Sequence, residues 1–316
     1  MVDSKQQWKA WLYLAPAIVL LLIFTVYPIF NTVRMAFLEG YNSTVALIGT
    51  KFTIGFGNFI EVFTSAKPQT NFLQALQNTM LLTVLTVPLS TLLALLIAVA
   101  LNSIKPLQKF LQTIFFLPYV TNSIAIGMVF AAMFNIIGLS PDASKADSWG
   151  IINNVIMFFG GKPINWMNTN SSYAANIAVM TIYIVWNALP FKILILLGGL
   201  QSINKQYYDA ARVDGTPRWR VLTRITVPLL SPMLAYVIIT GFIGGFKEYT
   251  SIVGIFGEKM GPPDDYGRLN TMVGFVYDAL EANNQGRASA AALILFAIIL
   301  VVTLINTWVS SKRVHY

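Results

Sequence analysis

Six apolar runs recur along the chain, at about 11–33, 79–101, 110–139, 173–200, 227–256 and 288–309, and each reaches the roughly 20 residues a helix needs to cross a bilayer. Polar loops separate them. The pattern predicts an all-α polytopic membrane protein of six transmembrane helices, folded as one transmembrane domain over residues 1–316. The first run is too long for the apolar stretch of a signal peptide and lacks a small-residue cleavage site, so it reads as a retained helix. Composition agrees: 56% of residues are hydrophobic and 11% charged, whereas a soluble domain carries about a quarter charged residues.

Charge then orients the helices. With the N-terminus inside, the inner loops hold Lys5, Lys9, Lys105, Lys109, Lys205, Arg212, Arg218, Arg220, Arg224, Lys312 and Arg313 against only Asp3, Asp209 and Asp214. These residues account for the whole formal charge of +8. The outer loops 34–78, 140–172 and 257–287 are close to neutral. Lys and Arg collect on the cytoplasmic side of membrane proteins, so both termini are expected in the cytoplasm. The same reasoning removes nucleic acid as an explanation of the basic charge.

Little catalytic material remains. There is no cysteine, and the one histidine, His315, is penultimate. A thiol nucleophile, a histidine-based acid–base centre and a metal site are therefore not expected. No Gly-x-x-x-x-Gly-Lys-Ser/Thr phosphate loop is present. The chain is not expected to be an enzyme, to hydrolyse ATP or to hold a cofactor of its own.

The most informative segment is the inner loop 201–228. Tyr207 to Asp214 is amphipathic and helix-prone; Gly215 is placed to end that helix. Pro217 is placed to open a second one. The order Asp209-Ala210-Ala211, three residues, Gly215, nine residues, Ile225, one residue, Val227-Pro228 resembles the Glu-Ala-Ala loop of binding-protein-dependent ABC importer permeases. Asp209 stands for the family's Glu and Val227 for its Leu, and both changes keep the chemistry. Tyr13-Leu14-Ala15-Pro16-Ala17 with Tyr27-Pro28, Phe115-Phe116-Leu117-Pro118-Tyr119-Val120, and Gly199-Leu200-Gln201-Ser202-Ile203 resemble maltose-type sugar permeases, and the opening resembles the first of their two unlike permease subunits.

The resemblance implies the type I ABC importer permease fold, with a cytoplasmic coupling helix. It implies a second, unlike permease subunit, two ATP-binding subunits that carry ATP and Mg, and an extracytoplasmic solute-binding protein, in a bacterial cell membrane. Asp209, Ala210, Ala211 and Gly215 are then the ATPase-coupling residues, Asp209 pairing with a base on the ATP-binding subunit. It implies a sugar or oligosaccharide as cargo. In these permeases the fifth span lines the sugar site with aromatic and amide side chains, which this sequence largely replaces with glycine, implying more space.

Helical periodicity nominates the substrate face. Tyr183, Asn187 and Phe191 recur at four-residue steps on the fourth span. On the fifth, Gly241, Gly244 and Gly245 lie seven, four and three residues before Glu248, which places all four on one face. Amides and carboxylates suit sugar hydroxyls, and aromatic faces suit the apolar side of a ring. Gly241 and Gly245 equally form a GxxxG packing pair, and the aromatics equally serve helix packing. Lys192 can snorkel; a mid-membrane Glu248 needs cavity water or a base such as Lys247 or Lys192, or is protonated. Pro190 is expected to kink the fourth span.

Other readings are the same architecture with another cargo (a polyamine, glycerol phosphate or a metal chelate), a secondary transporter or channel, and a membrane enzyme. The second needs an inverted repeat or an intramembrane ion relay, and neither is visible. The topology is testable because the chain lacks native thiols. An Arg218→Cys variant should react with an impermeant maleimide only after cells are permeabilised; labelling of intact cells would invert the assignment.

Overall fold

The computed structural model describes residues 7–64, 71–104, 108–137 and 148–312. Lys5, Lys105, Arg313 and His315 lie outside them. The chain divides into two compact units: the described residues of 1–66 with 275–296, and those of 67–274 with 297–316.

The first unit opens with α1, Trp8–Phe37. Most of its apolar side chains point outward, as Phe24 (72% exposed) and Phe30 (70%) do, and Ala36 near its end is buried. Two short helices follow, α2 (Ser43–Leu47) and α3 (Gly57–Thr64). Asn58 ties this region together. Its buried amide donates to the carbonyls of Ala36 (3.0 Å) and Leu38 (2.7 Å), and its oxygen accepts from the Gly40 N–H (3.0 Å). One side chain thus satisfies backbone groups that the end of α1 leaves open.

The second unit is built on α4, Phe72–Ser103, packed along another long helix from the fourth apolar run. One face of α4 is a buried row of Thr79, Thr83, Thr86, Ser90 and Thr91. Each hydroxyl donates to a carbonyl one turn back, as Thr79 does to Ala75 (2.7 Å). A polar face can therefore lie inside a membrane helix without orphaned donors.

The third apolar run does not form one helix. It divides into α5 (Gln108–Val120) and α6 (Ser123–Phe134). The break has a local cause: the Asn122 side-chain oxygen Oδ1 accepts from the N–H groups of Ile124 (2.8 Å) and Ala125 (3.4 Å), capping α6 afresh. Two strands of two residues each, β1 (Ile136–Ile137) and β2 (Ser148–Trp149), pair antiparallel. Then come α7 (Ile151–Phe158) and α8 (Tyr173–Ser202). α8 continues through Pro190 and buries fifteen residues.

After α8 the chain forms α9 (Lys205–Val213) and α10 (Arg218–Leu229). α10 meets α11, Ser231–Phe246, at 71°. Pro232, which lacks an N–H, sits in the first turn of α11 just past the bend. The fifth run is therefore also broken, and a second time: α11 stops at Phe246 and α12 spans Thr250–Phe256. α12 packs on α6, where Gly127 and Gly254 face each other; a Cβ on Gly127 would lie 2.7 Å from the Gly254 Cα. Helices α13 (Met272–Glu281) and α14 (Gln285–Ser311) complete the chain. Among the described residues, α1, α4, α8 and α14 are each long and apolar enough to cross a membrane, and the bent α10–α11 pair is a fifth candidate.

Candidate functional site

A cleft of about 330 Å³ opens in the second unit between α4, α5, α8 and α11. Of the seven residues that periodicity nominates, six line it: Asn187, Phe191, Gly241, Gly244, Gly245 and Glu248. Tyr183 does not. It is 0% exposed, its ring packs edge-on against Phe130 at 5.1 Å, and its hydroxyl donates to the Ser123 carbonyl. Tyr183 belongs to the core that joins α8 to α6 and α12. A four-residue step drifts around a helix of 3.6 residues per turn by about 40° each time, which turns Tyr183 out of the face that Asn187 and Phe191 share.

The amide of Asn187 has no hydrogen-bond partner among the described residues, so its donors and acceptor are open to the cleft. Phe191 stacks with Tyr119 of α5, centroids 5.9 Å apart and planes 19° apart. Tyr119 lines the cleft too. It comes from a different run, and helical periodicity within one helix cannot bring it to this face.

Glu248 reaches the cleft by a route that the periodic pattern does not contain. It is not on the helix with the glycines; it occupies the break after α11. One carboxylate oxygen accepts from the N–H groups of Tyr249 and Ser251, both at 3.1 Å. These are open donors at the start of α12, where the helix dipole also favours negative charge. Lys192 does not snorkel. It is 4% exposed, and its ammonium donates to the Val87 carbonyl (3.2 Å), Ser90 Oγ (2.7 Å) and Thr91 Oγ1 (2.9 Å) on α4. All three of its donors are engaged. Among the described residues no ion pair joins Glu248 to Lys192 or Lys247.

The three glycines of α11 differ. A Cβ on Gly245 would lie 2.7 Å from Thr83 Oγ1, and one on Gly241 would lie 3.0 Å from Val87 and 3.3 Å from the Lys192 ammonium. These two let α11 approach α4 closely, as a GxxxG pair does. A Cβ on Gly244 would meet nothing within 4 Å. Gly244 is the glycine that keeps space open.

The inner loop is the second candidate region. Gly215, at φ +64°, follows α9. Its N–H donates to the Arg212 carbonyl (3.2 Å), and that of Thr216 to the Ala211 carbonyl (2.9 Å). This is the glycine-terminated Schellman arrangement. Pro217 precedes α10. Asp209, Ala210 and Gly215 are exposed, whereas Ala211 is buried against the unit. Asp209 lies 3.7 Å from Arg212, and both side chains are largely exposed.

Fold and site together define a multi-pass helical membrane protein with a polar cleft inside its helix bundle and a capped helical turn outside it. The pattern of the binding-protein-dependent transport system inner membrane component family matches residues 90–315. The chain belongs to that family, an inner-membrane component of transport systems. It is 29% identical to the lactose transport system permease protein LacF of Rhizobium radiobacter, over 94% of this chain and 91% of the relative. It is 28% identical to the arabinooligosaccharides transport system permease protein AraP of Bacillus subtilis strain 168, over 96% and 88%. The fold matches a chain in the crystal structure of a bacterial ABC transporter involved in the import of the acidic polysaccharide alginate. The TM-score is 0.76 at 24% identity, covering 98% of this chain and 96% of that one.

The glycine geometry yields a paired test. Gly245→Ala should force the Thr83 contact, cost about 1–3 kcal/mol of packing and lower the melting temperature of the purified protein. Gly244→Ala should leave that temperature unchanged or slightly raised. Equal destabilisation by both would contradict the close approach of α11 to α4.

Proposed function

We propose that this chain is one of two unlike permease subunits of an ABC importer, and that it moves a sugar or oligosaccharide inward. The observation that carries the cargo reading is the cleft wall. It sets the open amide of Asn187 and the carboxylate of Glu248 beside the stacked rings of Phe191 and Tyr119. Hydroxyl-rich rings need hydrogen-bonding groups at the edge and an aromatic surface beneath. The relatives named for lactose and arabinooligosaccharide transport support the same class of cargo.

In this reading an extracytoplasmic solute-binding protein delivers the cargo, and two ATP-binding subunits hydrolyse ATP with Mg. Six segments cross the membrane, with both termini inside. Two of these crossings are the broken pair α5–α6 and the interrupted run from α10 to α12. α9 is the coupling helix. Asp209, Ala210 and Gly215 seat in a groove of an ATP-binding subunit, and Ala211 holds the helix to its own unit. The Asp209–Arg212 pair is exposed and long, so exchanging it for a base on the partner costs little.

Two experiments test the two halves separately. In whole-cell uptake of the native sugar, Asn187→Ala should raise the apparent KM roughly five-fold, the equivalent of about 1 kcal/mol for one neutral hydrogen bond. Glu248→Gln keeps an oxygen that can cap α12, so it should impair uptake without loss of assembly. Uptake at the normal rate by both variants would place the cargo site elsewhere, for instance on the partner permease. For coupling, Gly215→Pro cannot adopt φ +64°, and Asp209→Lys reverses the docking charge. Each should abolish uptake and cargo-stimulated ATP hydrolysis while the purified chain keeps its helical content; wild-type uptake by either would remove α9 from the coupling role.

A further inference from the structure

A second concavity, of about 630 Å³, lies between the ends of α4 and α8 and the loop formed by α9 and α10. The established family and the cargo cleft leave it without a role. Its polar lining comprises Asn102 and Ser103 at the end of α4, Tyr208 and Arg212 on α9, Thr216 in the turn, and Arg218 and Thr226 on α10. No carboxylate lines it. Arg218 has no ion pair or side-chain hydrogen bond among the described residues, and neither has Asn102. Arg212 has only the loose contact with Asp209. Two arginines thus line one pocket, with their guanidinium donors largely open. Guanidiniums of this kind recognise phosphate oxygens, bidentately where geometry allows.

The depth of the pocket indicates which phosphate. α4 has 32 residues and α8 has 30, lengths of roughly 45–48 Å at 1.5 Å per residue. That is the full thickness of a bilayer with its headgroups, about 40–45 Å. The ends of both helices, and the pocket beside them, therefore lie at the headgroup layer. Trp219, 64% exposed with Arg220 5.9 Å from its ring, sits at the same level, where tryptophan is favoured. Val99 and Leu200 supply an apolar wall on the membrane side. Free inorganic phosphate has no use for such a wall, but the glycerol and first methylenes of a lipid do.

We propose that this pocket binds the phosphate headgroup of an anionic phospholipid, held by Arg212 and Arg218. Basic pockets between helices at the cytoplasmic surface take such headgroups. The inference rests on the placement of the loop at the membrane surface and not on the coupling role of α9. Because Arg212 and Gly215 belong to both the pocket and the loop, an occupied pocket would also fix how the loop is presented.

The test is lipid retention by the purified transporter, read by native mass spectrometry after exchange into equal phosphatidylglycerol and phosphatidylcholine. The wild type should retain phosphatidylglycerol in several-fold excess. Arg212→Gln with Arg218→Gln should reduce that excess about ten-fold, and Arg212→Lys with Arg218→Lys should restore part of it. Lys205→Gln with Arg224→Gln removes the same charge from the same loop outside the pocket and should change little. Millimolar inorganic phosphate separates the two sources: failure to displace the lipid supports the headgroup. Displacement, with phosphate bound by lipid-free protein, overturns the lipid assignment in favour of a free-anion site. Absence of a phosphatidylglycerol preference, or equal loss in both charge-matched glutamine pairs, overturns the pocket altogether.

Discussion

Hydrocarbon offers no hydrogen bonds, so every donor that a membrane helix exposes must find its acceptor within the protein. The second unit is shaped by that constraint. The hydroxyls of α4 turn back on their own carbonyls, the Lys192 ammonium is held by three oxygens of α4, and the break after α11 is sealed by Glu248. A helix that stops leaves its end groups without intrahelical partners. Here the Glu248 carboxylate takes two N–H groups at the start of the helix that follows.

The same residues that meet this requirement create the cleft. Breaking the fifth run releases Glu248 from the helical face of the glycines, yet returns its carboxylate to the cleft wall. Engaging Lys192 on α4 leaves the amide of Asn187 as an uncommitted polar group beside the stacked Phe191 and Tyr119. The close approach permitted by Gly241 and Gly245 brings α11 against α4, while Gly244 leaves the space between them and α8 open.

Much of this is legible in the sequence because apolar length and helical period are local properties. α1, α4, α8 and α14 fall on the first, second, fourth and sixth apolar runs, and Gly215 ends α9 where the loop pattern places it. The misses are non-local or depend on capping. Asn122 within an apolar run is a recognisable cap that splits the third run, and continuous hydrophobicity masks it. A four-residue recurrence groups Tyr183 with Phe191, but its drift of about 40° per step turns Tyr183 onto Phe130 and leaves Phe191 facing the cleft. Tyr119 comes from another helix, so only tertiary packing brings it to Phe191. Ala211 shares a motif with Asp209 and Ala210 but faces its own unit.

The most direct test of the cargo path is thiol protection at Gly244, since the chain has no native cysteine and a Cβ there meets nothing within 4 Å. A Gly244→Cys transporter in membrane vesicles should transport until treated with a bulky maleimide and then stop. Turnover conditions, with loaded binding protein and ATP, should slow the modification. Full modification with uptake unchanged would contradict the account, because cargo would then be passing somewhere other than this cleft.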